Sequence, residues 1–225
     1  MAYTYNALSV LGYRGQPLAN TFVRQDQEAR QLAILFPGVA YTTDMPLLYY
    51  TRSVLLAQGA DVLSLETNYH RRPEFPQLAP EERQTWLAAD TEAAVAAALA
   101  QRKYAEIVLA GKSLGTLAMG HLVANDARLA KACCIWLTPL LRETRLREQI
   151  KSGGQRGLFV AGTADPHYEP GAWEEVVTAV QGEYVLIPGA DHSLEFPGNV
   201  QADLAVLPQL ATVLQSFLSV KRATG

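Results

Sequence analysis

A three-layer α/β sandwich built on a mostly parallel sheet is the fold class that this chain of 225 residues predicts. Three observations lead there. Short uninterrupted apolar runs alternate with longer stretches of helical composition, the pattern of consecutive βαβ units. Most of those runs lack the in-out alternation of a half-exposed sheet, so they suit strands buried on both faces. Hydrophobic residues make up 49% of the chain against 18% charged, enough for one large core and too many for disorder.

The elements follow in order. Apolar stretches at 7–11 and 21–25 flank Gly12-Tyr13-Arg14-Gly15 and read as an antiparallel hairpin at one edge of the sheet. Buried strands are predicted at 32–36, 62–65, 107–110, 132–137, 158–161 and 184–187. Between them, 45–58 reads as a helix closed by Gly59, and 80–103 as a helix with Glu81 and Glu82 in its first turn. Helices at 114–130, 170–180 and 201–220 complete the set. No repeat and no Gly/Ser-rich linker divides the chain, so 1–225 is read as one domain.

Composition excludes several functions. The net charge is −3 and there is no Lys/Arg-rich run, so no nucleic-acid partner is expected. The longest apolar run spans 93–100, far below the roughly 20 residues of a membrane span. The N-terminus lacks the pattern of a secretory signal. The two cysteines, Cys133 and Cys134, are adjacent, so no disulfide framework is expected and the pair is read as packing in its strand. The expectation is a soluble cytoplasmic protein without metal or organic cofactor.

The decisive segment is Gly111-Lys112-Ser113-Leu114-Gly115, entered from a buried strand and followed at once by a helix. This is G-x-S-x-G in the strand-turn-helix context that gives it meaning. A Cβ two residues to either side of the serine would strike the adjoining strand and helix, hence the glycines. Gly-Lys-Ser also ends a phosphate-binding loop, but that motif needs glycine at position 106, where Glu106 stands, and 107–110 are strand-like. Since G-x-S-x-G also occurs by chance, its partners decide. A serine hydroxyl needs a base, and the base needs an orienting acid. Downstream, a strand and turn carry Asp165, and a further strand and loop carry His192, both past the C-terminal ends of strands where open α/β sheets place ligands.

With Gly111-Lys-Ser-Leu-Gly115, Gly162-Thr-Ala-Asp165 and Gly189-Ala-Asp-His192-Ser-Leu194 in that order, nearly the whole chain resembles the α/β-hydrolase superfamily, its small capless branch in particular. The resemblance implies Ser113 as nucleophile, His192 as general base and Asp165 as orienting acid. It also implies an oxyanion hole made by the Leu114 amide and an amide of the loop Phe36-Pro37-Gly38-Val39-Ala40-Tyr41, with Val39 the first candidate and Ala40 the second. Proline replaces the histidine usual in that loop. The implied activity is hydrolysis of a small ester or thioester through an acyl-enzyme, and the rival is a non-catalytic interaction module on the same fold.

Other residues receive plainer readings. Asp191 directly precedes His192, a poor position for orienting its ring, and is read as a loop residue. His121 is read as a packing or surface residue, His167 as an exposed loop histidine in preference to a residue lining the mouth of the site, and His70-Arg71-Arg72 as a solvated loop in preference to a site for an acidic substrate group. Tyr41, Asn68 and Tyr69 follow strand ends on the side of the site. Between the strands ending near 137 and beginning near 158 there is room for one crossover helix and none for a cap, which predicts an open, shallow site preferring short acyl chains.

Overall fold

The computed structural model describes residues 2–219, arranged as an eight-stranded sheet flanked by helices on both faces. The strands are β1 (Tyr3–Asn6), β2 (Asn20–Gln25), β3 (Gln31–Phe36), β4 (Asp61–Leu65), β5 (Glu106–Lys112), β6 (Cys133–Leu137), β7 (Arg156–Gly162) and β8 (Glu183–Ile187). Their order across the sheet is β1-β2-β4-β3-β5-β6-β7-β8. β1 with β2 and β2 with β4 pair antiparallel, and every other pair is parallel. β5 lies between β3 and β6, where both edges are hydrogen-bonded, so its apolar run is continuous because neither face meets water.

The helices are α1 (Pro46–Ala57), α2 (Pro80–Leu99), α3 (Leu114–Asn125), α4 (Thr144–Gly153), α5 (Pro170–Ala179) and α6 (Val200–Ser219). One core joins α2, α3, α4 and α5 to the sheet through Val95, Met119, Leu146, Trp136, Phe159 and Trp173. The other joins α1 and α6 to the opposite face through Leu48, Leu55, Val160, Leu210 and Phe217. The segment between β6 and β7 holds α4 alone, so there is no cap.

The edge hairpin is present, but its first strand is 3–6, not 7–11. Tyr3 and Tyr5 alternate with Thr4 and Asn6 on an exposed ribbon that carries no apolar signature. Residues 7–19 form an excursion over the core instead. The Asn20 side chain straps Leu8, accepting from its amide and donating to its carbonyl, both at 2.9 Å. Val10 is buried, and the Tyr13 ring stacks on Trp86. Two helices also stop short of expectation. α2 ends at Leu99 because Arg102 turns to the carbonyls of Gln25 and Gln27. α3 ends at Asn125 because the Asp126 side chain accepts from the Arg128 amide and starts a separate 3₁₀ turn, Ala127–Leu129. The expected end of the last helix, Val220, lies outside the described residues.

Candidate active site

The site lies where β3, β5, β7 and β8 end. β5 hands the chain to α3 through Ser113, whose backbone sits at φ 53°, ψ −117°. A non-glycine residue there is strained, at a cost of order 1–3 kcal/mol. Close packing enforces the turn. A Cβ on Gly115 would lie 2.2 Å from the Phe36 carbonyl oxygen, and one on Gly111 would lie 2.4 Å from Met119 Sδ and 2.8 Å from the Gly115 oxygen. The Ser113 amide continues the β6 ladder by donating to Leu137 O at 3.1 Å, and the Ser113 carbonyl accepts from the Thr116 amide and hydroxyl. The serine is thereby pinned on both sides while its hydroxyl projects from the sheet.

His192 reaches it from the loop after β8. Its Nε2 lies 2.8 Å from Ser113 Oγ, and its Nδ1 lies 2.7 Å from Asp165 Oδ2. That second bond needs a proton on Nδ1, which leaves Nε2 free to accept from the serine hydroxyl. Asp165 is buried, and its other oxygen accepts from the His167 amide at 2.7 Å. Burial pushes the Asp165 carboxyl up, but the bonds from His192 and the His167 amide outweigh it and hold the group below the ordinary aspartate value. The β7 and β8 loops are stapled together: Ala164 N donates to Ala190 O at 3.0 Å and Gly189 N to Thr163 Oγ1 at 2.8 Å. Gly162 is required there, since its Cβ would lie 2.1 Å from Ala190 O.

Leu114 is the first residue of α3, so the helix offers its amide no acceptor. The loop after β3 passes beside Ser113, for a Cβ on Gly38 would stand 3.5 Å from Ser113 Cβ. Gly38 N donates to Tyr41 O at 2.9 Å, and Val39 O accepts from His70 N at 3.1 Å. Val39 and Ala40 are both exposed. The two sequence-derived candidates follow Gly38 directly on this loop.

The remaining residues sort themselves by contact. Asp191 Oδ1 accepts from the amides of Ser193 (2.7 Å) and Glu195 (3.0 Å), so it shapes the loop and leaves the ring of His192 to Asp165. His167 is exposed, as expected, and its ring lies 4.9 Å from that of His192, consistent with its place two residues past Asp165. Tyr41 is buried and its hydroxyl accepts from the Leu47 amide at the start of α1. Tyr69 is buried and donates to Asp90 Oδ2 at 2.8 Å. Asn68 Oδ1 is buried without a partner. His70 and Arg71 are exposed, and Arg72 lies over Trp86. His121 pairs with Glu92 at 2.6 Å on the surface. Cys134 is buried and its thiol is pushed up by burial, while Cys133 is half-buried. A cleft of about 350 Å³ between α2 and α4, lined by Glu81, Thr85, Leu117 and Arg145 among others, contains none of the three candidate residues.

Lys112 is the feature the sequence reading passed over. It is 3% exposed, with its ammonium 4.6 Å from the centre of the Tyr41 ring. Burial lowers it to about 8 despite the pull of Asp165, Asp191 and Glu195. The available signal was a cation closing an otherwise apolar run, Ile107-Val-Leu-Ala-Gly111.

Sheet order, a strained serine between β5 and α3, and the chain order Ser, Asp, His define an α/β-hydrolase. The family described as the alpha/beta hydrolase domain matches residues 30–218, and the chain belongs to it. No curated protein matches the chain in sequence. Among solved structures, an esterase of Pyrococcus furiosus is similar with a TM-score of 0.71 and 13% identity, over 96% of this chain and 90% of its own. Est1E from Butyrivibrio proteoclasticus, also known with ferulic acid bound, gives 0.72 and 15% over 96% and 100%. A lidless serine hydrolase from Xanthomonas campestris gives 0.65 and 18% over 98% of both chains. Among the described residues no helix is long and apolar enough to cross a membrane, and no cluster of three or more side chains could hold a metal ion.

Proposed function

We propose that this chain, working as one domain, is a serine esterase that hydrolyses a small carboxylic ester or thioester. The observation that carries the reading is the hydrogen-bonded series Asp165, His192, Ser113 at 2.7 and 2.8 Å, ending on a serine held at φ 53°. Ser113 Oγ attacks the substrate carbonyl as its proton passes to His192 Nε2. The carbonyl oxygen becomes an oxyanion, which takes hydrogen bonds from the Leu114 amide and the Val39 amide, with Ala40 as the alternative to Val39. A correctly placed donor of this kind contributes roughly 2.7–4 kcal/mol to transition-state stabilisation. Asp165 fixes the proton on Nδ1 and stabilises the imidazolium. Collapse breaks the bond to the leaving alcohol or thiol, which takes the proton from His192. Water, activated by the same ring, then releases the acid and restores Ser113.

The test is direct. A fluorophosphonate probe should label Ser113 stoichiometrically, and Ser113→Ala should lose up to about six orders of magnitude in turnover of p-nitrophenyl acetate. Labelling of a different serine, or full activity in the alanine variant, refutes the reading. Substrate size follows from the missing cap. Without one, little apolar surface is on hand to bury a long acyl chain, at about 0.8 kcal/mol per CH₂. Across acetyl, butyryl, octanoyl and palmitoyl esters, kcat/KM should favour the short chains, and interfacial activation should be absent. A rise of about an order of magnitude from butyryl to palmitoyl would reveal an acyl tunnel and overturn this expectation.

A further inference from the structure

Lys112 stands immediately before the nucleophile and should not be where it is on grounds of stability. Side chains along β5 alternate between the faces, with Gly111 against Met119 and Ala110 in the core shared with α1 and α6. Lysines in such places usually extend to water, but this one is 3% exposed. Among the described residues its ammonium makes no hydrogen bond and no ion pair. Its close neighbour is the face of Tyr41, a cation–π contact at 4.6 Å. The ammonium keeps a narrow contact with water, and giving up most of its hydration without an anion bonded to it is still costly.

The charges around it supply a reason. Asp165 from the loop after β7, and Asp191 and Glu195 from the loop after β8, all act on Lys112 electrostatically. Asp165 is joined through His192 to Ser113, where one more negative charge would form. The Gly38 backbone bridges the two: a Cβ there would lie 3.5 Å from Ser113 Cβ and 3.6 Å from Lys112 Cδ. Lys112 therefore runs directly behind the loop proposed to donate to the oxyanion.

We infer that Lys112 is an electrostatic positioning residue, a buried cation that offsets the surrounding carboxylates and so lets an oxyanion form over Gly38 and Val39. This rests on the esterase reading above. The ammonium works through the field it sets up behind the loop and touches no reacting atom. Below about pH 8 it is charged, and above that it loses the proton and the offset. The other titratable groups facing it are Tyr41, Asp165, Asp191 and Glu195. The Tyr41 phenol is pushed up to about 12, chiefly by burial, so it stays neutral through this range. The rate should accordingly fall on the alkaline side as Lys112 discharges.

Lys112→Met keeps the stem and removes the charge. With p-nitrophenyl acetate between about pH 6 and about pH 10, wild-type kcat should decline above about pH 8. In the variant kcat at neutral pH should drop about tenfold, less than for loss of a direct donor. KM should stay within about twofold, and the alkaline decline should vanish. The variant should also melt higher, by about 2–4 °C at neutral pH, because a largely desolvated cation with no anion bonded to it is gone. The folded value lies below the unfolded one, so the penalty exists below about pH 8 and fades above it. The gain in melting temperature should fade likewise. A variant that melts lower or fails to fold identifies Lys112 as structural and overturns the inference. So does one that keeps both kcat and the alkaline decline. Ser113→Ala in parallel separates the two readings: full activity there refutes the triad, whereas Ser113-dependent activity indifferent to Lys112→Met refutes only the role of the lysine.

Discussion

Asp165 and Asp191 occupy equivalent places in neighbouring loops, one after β7 and one after β8. Each closes its turn the same way, with Oδ1 accepting at 2.7 Å from the amide two residues on, His167 in one case and Ser193 in the other. They differ in what else the carboxylate does. Asp165 turns Oδ2 to His192, whereas Asp191 uses Oδ1 a second time, on the Glu195 amide. Adjacency in sequence did not help Asp191, because consecutive side chains leave the backbone in different directions. Twenty-seven residues of separation did not hinder Asp165, because the staple between the two loops brings its free oxygen to the ring. A local motif makes a carboxylate rigid, and only the fold decides whether it is useful.

Exchanging the two carboxylates one at a time tests that contrast. Asp165→Asn should lower kcat by about four orders of magnitude, because the amide favours the wrong tautomer of His192. Asp191→Asn should cost less than about tenfold, since its amide oxygen still accepts from Ser193 and Glu195. Asp191→Ala removes both bonds and should destabilise the protein by about 1–2 kcal/mol, read from chemical denaturation. Reversed ranking of the two asparagine variants would mean that Asp191 is the acid. The smallest effect concerns acid stability. Asp165 is held below the ordinary aspartate value, so its contribution is complete above the unfolded value near about 3.9 and is lost as pH falls through the lower folded one. Melting temperature below about pH 4 should therefore fall less steeply in Asp165→Asn than in the wild type.

Much of this was legible in the chain itself, for identifiable reasons. Strands buried on both faces write themselves as continuous apolar runs, so β3 to β7 could be placed within one or two residues. The edge strand β8 was legible from its apolar Val185-Leu186-Ile187, although only Ile187 is buried. Ser113 was legible because Gly111 and Gly115 have no room for a Cβ, a constraint that leaves its mark at fixed spacing. β1 was not, because an exposed edge strand of tyrosines alternating with Thr4 and Asn6 has no apolar face to betray it. The excursion at 7–19 was misread for the converse reason, since its apolar residues serve a loop packed on the core. The tie from His70 to Val39 joins segments remote from one another in sequence, and no local pattern encodes it. Lys112 stood in plain view inside the motif, hidden by the convention that its position can be any residue.

The elbow has a consequence for hydrogen exchange. Two successive amides there have opposite fates: Ser113 N–H is the last rung shared with β6, and Leu114 N–H begins a helix that gives it no acceptor. Freeing the first requires separating two central strands, so its exchange should approach the rate of global unfolding. The second, left without a helical acceptor, should trade its proton with water far sooner. One peptide step thus spans nearly the whole range of local stability in the molecule, and the oxyanion role proposed for Leu114 would be written as a lack of protection.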